Sequence, residues 1–220
     1  MPEVGEGRNG EVGEESGDLE EDGEALLLVP SPGELGVDDG KVLDCLHRRG
    51  VELEIAARLL GAGNPLGDGA LEAVRGAISL TYFEHTTLAA LHWFQRQSPD
   101  LIVLEIGLGG RLDAVNLVDA TVAVITSVDL DHQDWLGDTI AEIAREKAGV
   151  MRAQRPVILG EREPHAVLLE HARSLSAPVW IKGRDYDFHK TAKDWQWQGR
   201  DGMSWLNLPL PRVVCDNAAT

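Results

Sequence analysis

Read for the spacing of its apolar positions, the chain changes character at about residue 71. Beyond that point apolar segments recur with regular punctuation. Thr81-x-x-Glu84 has the form of a capping box, and Phe83, Thr87, Ala90, Leu91 and Phe94 follow at the three- and four-residue spacing of one helix face. Ser98-Pro99-Asp100 breaks that pattern, and Leu101–Ile106 is then a nearly continuous apolar run, as in a strand covered on both faces. Thr121–Ser127 is a second such run. Thr139-x-x-Glu142 opens another helical pattern through Ile140, Ile143, Ala144 and Lys147. Pro156–Leu159 predicts a third strand, His165–Leu175 a third helix and Pro178–Lys182 a fourth strand. Short buried strands alternating with helices predict an α/β fold, a parallel sheet covered by helices. Past Asp185 the aromatic–polar alternation around Trp195 and Trp197 suits a small antiparallel excursion near the C-terminus.

Upstream the pattern is poorer. Leu43, Leu46, Leu53, Ala57 and Leu60 keep helical spacing, and residues 61–70 read as a Gly-rich linker. Residues 1–40 hold thirteen acids, one base and nine glycines, with no aromatic residue. Only Ala25–Pro30 is apolar there, and it ends in a Pro-Ser-Pro-Gly turn signal. Such a stretch buries too little apolar surface to offset its ordering entropy, so we expect a solvated, disordered tail. The chain thus divides into an acidic, Gly-rich segment over 1–70 and a folded region over 71–220.

Charge sharpens this division. The formal net charge is −17 over 220 residues, and −12 of it lies in residues 1–40. The acidity excludes a broad basic surface gripping a nucleic-acid backbone, but one loop and one cation can still build a local phosphate site. Two cysteines, Cys45 and Cys215, argue against a disulfide framework and for a reducing cytoplasm. No signal-peptide pattern opens the sequence, and no apolar run reaches the roughly 18–20 residues of a spanning helix. The expectation is a cytoplasmic protein with neither nucleic acid nor membrane as partner.

Ligands in such sheets sit beyond the carboxyl ends of the strands, and two unusual segments fall there. In Leu104-Glu105-Ile106-Gly107-Leu108-Gly109-Gly110-Arg111-Leu112-Asp113, glycines following a strand let a ligand approach the backbone. A carboxylate such as Glu105 near the end of a buried strand needs a partner or a metal. The string also resembles the acid-x-Gly-x-Gly start of a methyltransferase loop for S-adenosylmethionine, with Gly110 one position early. In Ser127-Val128-Asp129-Leu130-Asp131-His132-Gln133-Asp134, His132 stands among three aspartates and is either a metal ligand or simply solvated. Arg145-Glu146-Lys147-Ala148-Gly149 ends the following helix. A lysine there meets the helix dipole, but the spacing of Lys147 from Ile140, Ile143 and Ala144 turns it toward the covered face, where it needs a partner.

Together the strings TYFE at 81–84, LEIGLGGRLDAVN at 104–116, SVDLDHQDWLG at 127–137 and IAREKAG at 143–149 resemble folylpolyglutamate synthase/dihydrofolate synthase, the folate branch of the Mur-type ATP-dependent ligases. The resemblance covers about residues 71–220 and includes Asn217-Ala218-Ala219. It implies the incomplete central ATPase domain of a monomeric enzyme. That enzyme transfers the γ-phosphate of ATP to a carboxylate of dihydropteroate or folate and then joins L-glutamate to the acyl phosphate. It further implies Mg²⁺ held by Glu105 and His132, a carbamylated Lys147 serving a second Mg²⁺, and pteroate contacts from Thr81, Tyr82, Phe83, Glu84, Leu112, Asp113 and Ala114. The chain departs from the family at the phosphate loop. Its nearest string, Gly7-Arg8-Asn9-Gly10-Glu11, has an acid where the phosphate-binding lysine belongs. The family's Ser-Ser-Pro-His-Leu segment is also lacking, and the expectation is a fragment truncated at both ends, with little or no activity by itself.

Overall fold

The computed structural model describes residues 25–30, 75, 77–211 and 215–220. The helical pattern from Leu43 to Leu60, the linker 61–70 and the string at 7–11 lie outside the described residues. Five strands form the main sheet in the order β2 (Leu101–Glu105), β1 (Ala25–Pro30), β3 (Val122–Ile125), β4 (Val157–Leu159) and β5 (Val179–Ile181). β3, β4 and β5 are parallel, with Ile125 opposite Leu159 and Leu159 opposite Ile181. β1 runs antiparallel to both of its neighbours, pairing Leu27 with Leu104 on one side and with Ala123 on the other.

Three expectations are corrected here. Ala25–Pro30 is no part of a solvated tail but an interior strand, and the sheet is mixed rather than parallel. The physical reason is that six apolar residues suffice for a strand hydrogen-bonded along both edges, whatever the polarity of the sequence around them. Pro30, which cannot donate to a ladder, falls at the strand's last position, where that costs least. β2 in turn is not covered on both faces. It lies at the sheet edge, and Leu101 and Val103 are more than half exposed while Ile102 between them is buried.

Two helices start where the capping boxes in the sequence predict. Helix α1 (Tyr82–Gln97) opens on Thr81, whose hydroxyl accepts from Glu84 N while the Glu84 carboxylate accepts from Thr81 N at 2.8 Å. A four-residue helix α2 (Gln133–Leu136) precedes α3 (Ile140–Ala148), which repeats the capping box with Thr139 and Glu142. These bonds, together with Arg145 one turn on, hold the Glu142 carboxyl below its usual range. Helix α4 (Ala166–Ser174) opens on His165, whose Nδ1 accepts from Val167 N at 3.2 Å. α3 and α4 pack against each other, and Ile143, Val150 and Leu168 join Leu27, Ile125, Val157 and Leu159 as the most fully buried side chains. Each contributes about 1.5–3 kcal/mol by burial.

A second sheet, β6 (Tyr186–Lys190), β7 (Asp194–Gly199) and β8 (Ser204–Pro209), is the antiparallel excursion that the sequence predicts. Trp197 packs on Trp205 with ring centroids 4.9 Å apart. Buried Asp185 ties this sheet to the first, accepting from Ile181 N at 2.9 Å, from Arg200 Nη1 at 2.8 Å and from Arg184. Burial alone would raise its pKa, but these donors outweigh burial and hold the carboxyl below its usual range. The short helix α5 (Cys215–Ala219) receives the Trp197 indole N–H on Ala219 O at 3.1 Å.

Candidate functional site

The loop after β2 is shaped by one carboxylate. Asp113 is buried, and its Oδ2 accepts the N–H groups of Gly107 (3.1 Å) and Leu108 (3.0 Å) while Oδ1 accepts from Val115 (2.8 Å). The loop therefore curls around Asp113 before entering a 3-10 turn at Ala114–Leu117. Its far side lies against the end of α3. Arg111 N donates to Glu146 O (2.9 Å), and the Arg111 guanidinium meets the Glu146 carboxylate at 2.8 Å. Two glycines permit this approach. A Cβ on Gly110, whose φ is +154°, would stand 2.8 Å from Glu146 O, and one on Gly149 would stand 2.3 Å from the Arg111 Cβ.

The loop after β3 carries the acids. Asp129 Oδ1 accepts from Leu130 N (2.7 Å), and Asp131 Oδ1 accepts from His132 N (2.6 Å). His132 takes a left-handed φ of +49° and turns its Nε2 to Asp131 Oδ2 at 3.1 Å. Lys147 comes from the third segment and is 7% exposed, on the face of α3 that buries Ile143, Ala144 and Ala148. The inward turn that the sequence spacing predicts for this lysine is what the fold provides.

Glu105, Gly107, Gly109, Asp129, Asp131, His132 and Lys147 line one cavity of about 220 Å³, whose floor includes Ala25, Ile106 and Ile143. The structure thus brings together Glu105, His132 and Lys147. The premise behind Glu105 is corrected: its carboxylate is exposed at the end of an edge strand, not buried and in want of a partner. Among the described residues, no three His, Cys, Asp or Glu side chains stand close enough to enclose a metal ion by themselves.

Of the remaining candidates, Phe83 lies against the loop, its ring 2.9 Å from where a Cβ on Gly107 would be, so it borders the cavity's wall from outside. Thr81 and Glu84 bond each other in the cap, Tyr82 is 87% exposed, and Leu112 and Ala114 are half-buried beside Asp113.

Sequence reasoning missed a second cavity of about 370 Å³ at the carboxyl ends of β3, β4 and β5, lined by Ser127, Glu161, Arg162, Lys182, Asp216 and Asn217 among others. Lys182 is buried and paired with Asp216. Burial pushes the Glu161 carboxyl up, against the opposing pull of Val128 N and Lys182. The available signal was Gly160-Glu161 directly after a strand, a glycine and an acid at a strand's carboxyl end as Glu105 and Gly107 are at that of β2. A Cβ on Gly160 would lie 2.4 Å from Thr126 O, so the close approach of the chain just beyond these two parallel strands calls for glycine.

Fold and site define a mixed α/β protein with polar cavities at the carboxyl ends of β2–β5. No protein-family model matches the chain. It is 47% identical over 150 residues to the dihydrofolate synthase/folylpolyglutamate synthase of Escherichia coli K12, covering 68% of this chain and 35% of that enzyme. It is 48% identical over 142 residues to the Haemophilus influenzae enzyme of the same name, covering 64% of this chain and 32% of that enzyme. Escherichia coli FolC in complex with DHPP and ADP matches at TM-score 0.65 with 34% identity, over 84% of this chain and 56% of that one. The Yersinia pestis bifunctional enzyme complexed with AMPPNP and Mn matches at TM-score 0.64, with the same identity and coverage. The chain is therefore a homologue of the dihydrofolate synthase/folylpolyglutamate synthases, and it spans about a third of the length of the curated relatives it matches.

Proposed function

We propose that this chain carries the substrate-activating region of an ATP-dependent amide ligase that adds L-glutamate to dihydropteroate or tetrahydrofolate. The observation that carries this reading is the convergence of Glu105, His132 and Lys147, from three separate segments, on one cavity at the carboxyl ends of β2 and β3. The identity with relatives named for that activity supports it. In the reaction, the γ-phosphoryl group of ATP passes to the substrate carboxylate and ADP leaves. The glutamate amine then attacks the acyl phosphate, forming the amide and releasing phosphate.

The donors in the cavity fit a hard divalent cation. Glu105 and Asp129 offer carboxylate oxygen, and His132 offers Nε2 once it leaves Asp131. Mg²⁺ ordinarily keeps several waters and takes only one or two carboxylates beside the phosphates, so an open donor set suits it better than a closed cage. Such a cation would neutralise charge on the phosphoryl oxygens. Lys147, buried at the cavity wall, would serve a second Mg²⁺ as its carbamate, an anion in place of an ammonium. Phe83 presents an apolar face for a pterin ring, with Thr81, Tyr82, Glu84 and Leu112–Ala114 as its surroundings. Asp113 shapes the loop beneath that surface. The second cavity, with Ser127, Glu161, Lys182 and Asn217, offers room for the rest of the nucleotide.

Among the described residues one part of the machinery has no counterpart. A phosphate cradle forms where a strand runs toward the site and turns into a helix. β1 runs the other way and presents its first residue, Ala25, to the cavity. Without that cradle and its lysine, ligation by this chain alone is expected to be far slower than by its full-length relatives. We read the protein as a cytoplasmic monomer acting on small molecules. No helix among the described residues is long and apolar enough to cross a membrane.

Parallel calorimetric titrations test the reading: dihydropteroate and ADP in the presence of Mn²⁺, against S-adenosylmethionine. Binding of the first pair and none of the last is expected. Binding of S-adenosylmethionine alone would instead favour the methyltransferase reading, which rests only on Glu105-x-Gly107-x-Gly109. Glutamate incorporation at the rate of the Escherichia coli enzyme would contradict the assignment of low activity.

A further inference from the structure

The geometry points to Asn116 as the positioning residue that holds Lys147 in the cavity wall, an inference that rests on the reading of that cavity just given. Asn116 sits where three segments meet. Its Nδ2 donates to Gly149 O at 3.1 Å and to Arg111 O at 3.3 Å, so one amide bridges the turn that ends α3 and the Gly-rich loop. Its Oδ1 accepts from Arg152 Nη2 at 2.9 Å, and the same Nη2 also donates to Asn116 O at 2.9 Å. Reversing the amide would set its donors against the guanidinium and its oxygen against two carbonyls, so the pattern fixes its orientation.

Arg152 extends the clamp. It is buried, paired with Asp119, and its Nη1 reaches Gly149 O, Val150 O and Met151 O at 3.1–3.3 Å. The last turn of α3 is therefore gripped from outside by the guanidinium and from the loop side by the Asn116 amide. Lys147 lies two residues before Gly149 in that turn, and the loop that Asn116 holds begins at the residue after Glu105. Bound on both sides, the turn has little freedom to rotate, and the direction of the Lys147 side chain follows from that constraint. Neither Asn116 nor Arg152 lines the cavity itself. Both would act on the site only through the groups they hold, as the outer partners of metal-site ligands do.

The test uses the full chain and its Asn116→Ala variant, at a temperature where circular dichroism shows both to be folded. The first readout is pulse acylation by acetic anhydride, read by peptide mass spectrometry, with buried Lys182 as the internal reference. The second is Mn²⁺ affinity by electron paramagnetic resonance. Lys147 acylation is expected to accelerate at least about tenfold relative to Lys182, as a local opening does. Mn²⁺ affinity should fall about tenfold or more. If Asn116→Ala does not fold, Asn116→Asp replaces it. That variant keeps the shape and the Arg152 pairing but turns an oxygen toward the two carbonyls, and the same outcome is expected. Unchanged Lys147 protection in a folded variant would overturn the proposal, as would equal acceleration of both lysines, which marks general loosening. A wild-type chain that binds no Mn²⁺ would sink the reading of the cavity, while the acylation ratio would still decide the role of Asn116.

Discussion

Replacing Leu27 by Ala tests whether the sheet has the interior strand described above. Leu27 is fully buried, lies on a strand bonded along both edges, and faces Leu104 and Ala123 across its two ladders. A leucine deleted to alanine in such a setting costs about 2–5 kcal/mol, from lost transfer energy plus the cavity left behind. The upper half of that range applies, because a strand paired on both sides can relax little into the space. Against a total stability of about 5–15 kcal/mol the change is large. With a urea dependence of about 2–3 kcal/mol per molar, the upper end of the usual range as suits a chain of this size, the midpoint should fall by roughly 1–2.5 M at unchanged slope. Equilibrium unfolding followed by tryptophan fluorescence measures this. Leu206→Ala, at a position more than half exposed on β8, serves as a control with little expected effect. A midpoint unmoved by Leu27→Ala would mean that Ala25–Pro30 does not belong to the core, and the mixed-sheet topology would fall with it.

Other consequences follow from single contacts. Gly149→Ala would place a methyl group against the Arg111 backbone and side chain, so a loss of about 1–3 kcal/mol and weaker Mn²⁺ binding are expected; unaltered unfolding would contradict that packing. Arg152→Met removes the ion pair with Asp119 and takes the guanidinium donor from five carbonyls, those of Asn116, Val118, Gly149, Val150 and Met151, and differential scanning calorimetry should register a loss of about 3–5 kcal/mol. Burial pushes the Tyr186 hydroxyl, which donates to Leu159 O at 3.0 Å, up to about 12 from 10.0. The folded state thus holds this proton more tightly than the unfolded one. Its contribution is complete below pH 10 and is lost between there and about pH 12. Urea midpoints measured across pH 9–11 should decline in wild type more steeply than in Tyr186→Phe, and parallel declines would refute the assignment.

Much of the architecture between Thr81 and Pro209 was legible, because capping boxes, continuous apolar runs and turn residues are local signals. Thr81 and Thr139 start helices where their boxes predict, and β3, β4 and β5 fall inside the runs read as strands. What escaped depends on tertiary position. The run Leu101–Ile106 looks the same at a sheet edge as in its centre, so the exposure of Val103 and Glu105 could not be read from it. Ala25–Pro30 was masked by its acidic surroundings, since composition averages over a window wider than the strand. The three chemical segments were recognisable as strings. Their meeting at one cavity, the commitment of His132 Nε2 to Asp131 and the use of Asp113 as the loop's internal anchor are products of folding. Glu161 was passed over because a single Gly-acid pair after a strand is a short signal, and Lys182 because nothing around it in the sequence marks it.

The central claim, that Glu105, His132 and Lys147 frame a divalent-cation site, is tested most directly by titrating the full chain with Mn²⁺ and reading free Mn²⁺ by electron paramagnetic resonance. Wild type should take up Mn²⁺ saturably and release it to excess Mg²⁺. The folded Glu105→Gln/His132→Gln double variant should lose this binding. No saturable uptake by wild type, or uptake undiminished in the double variant, would contradict the account.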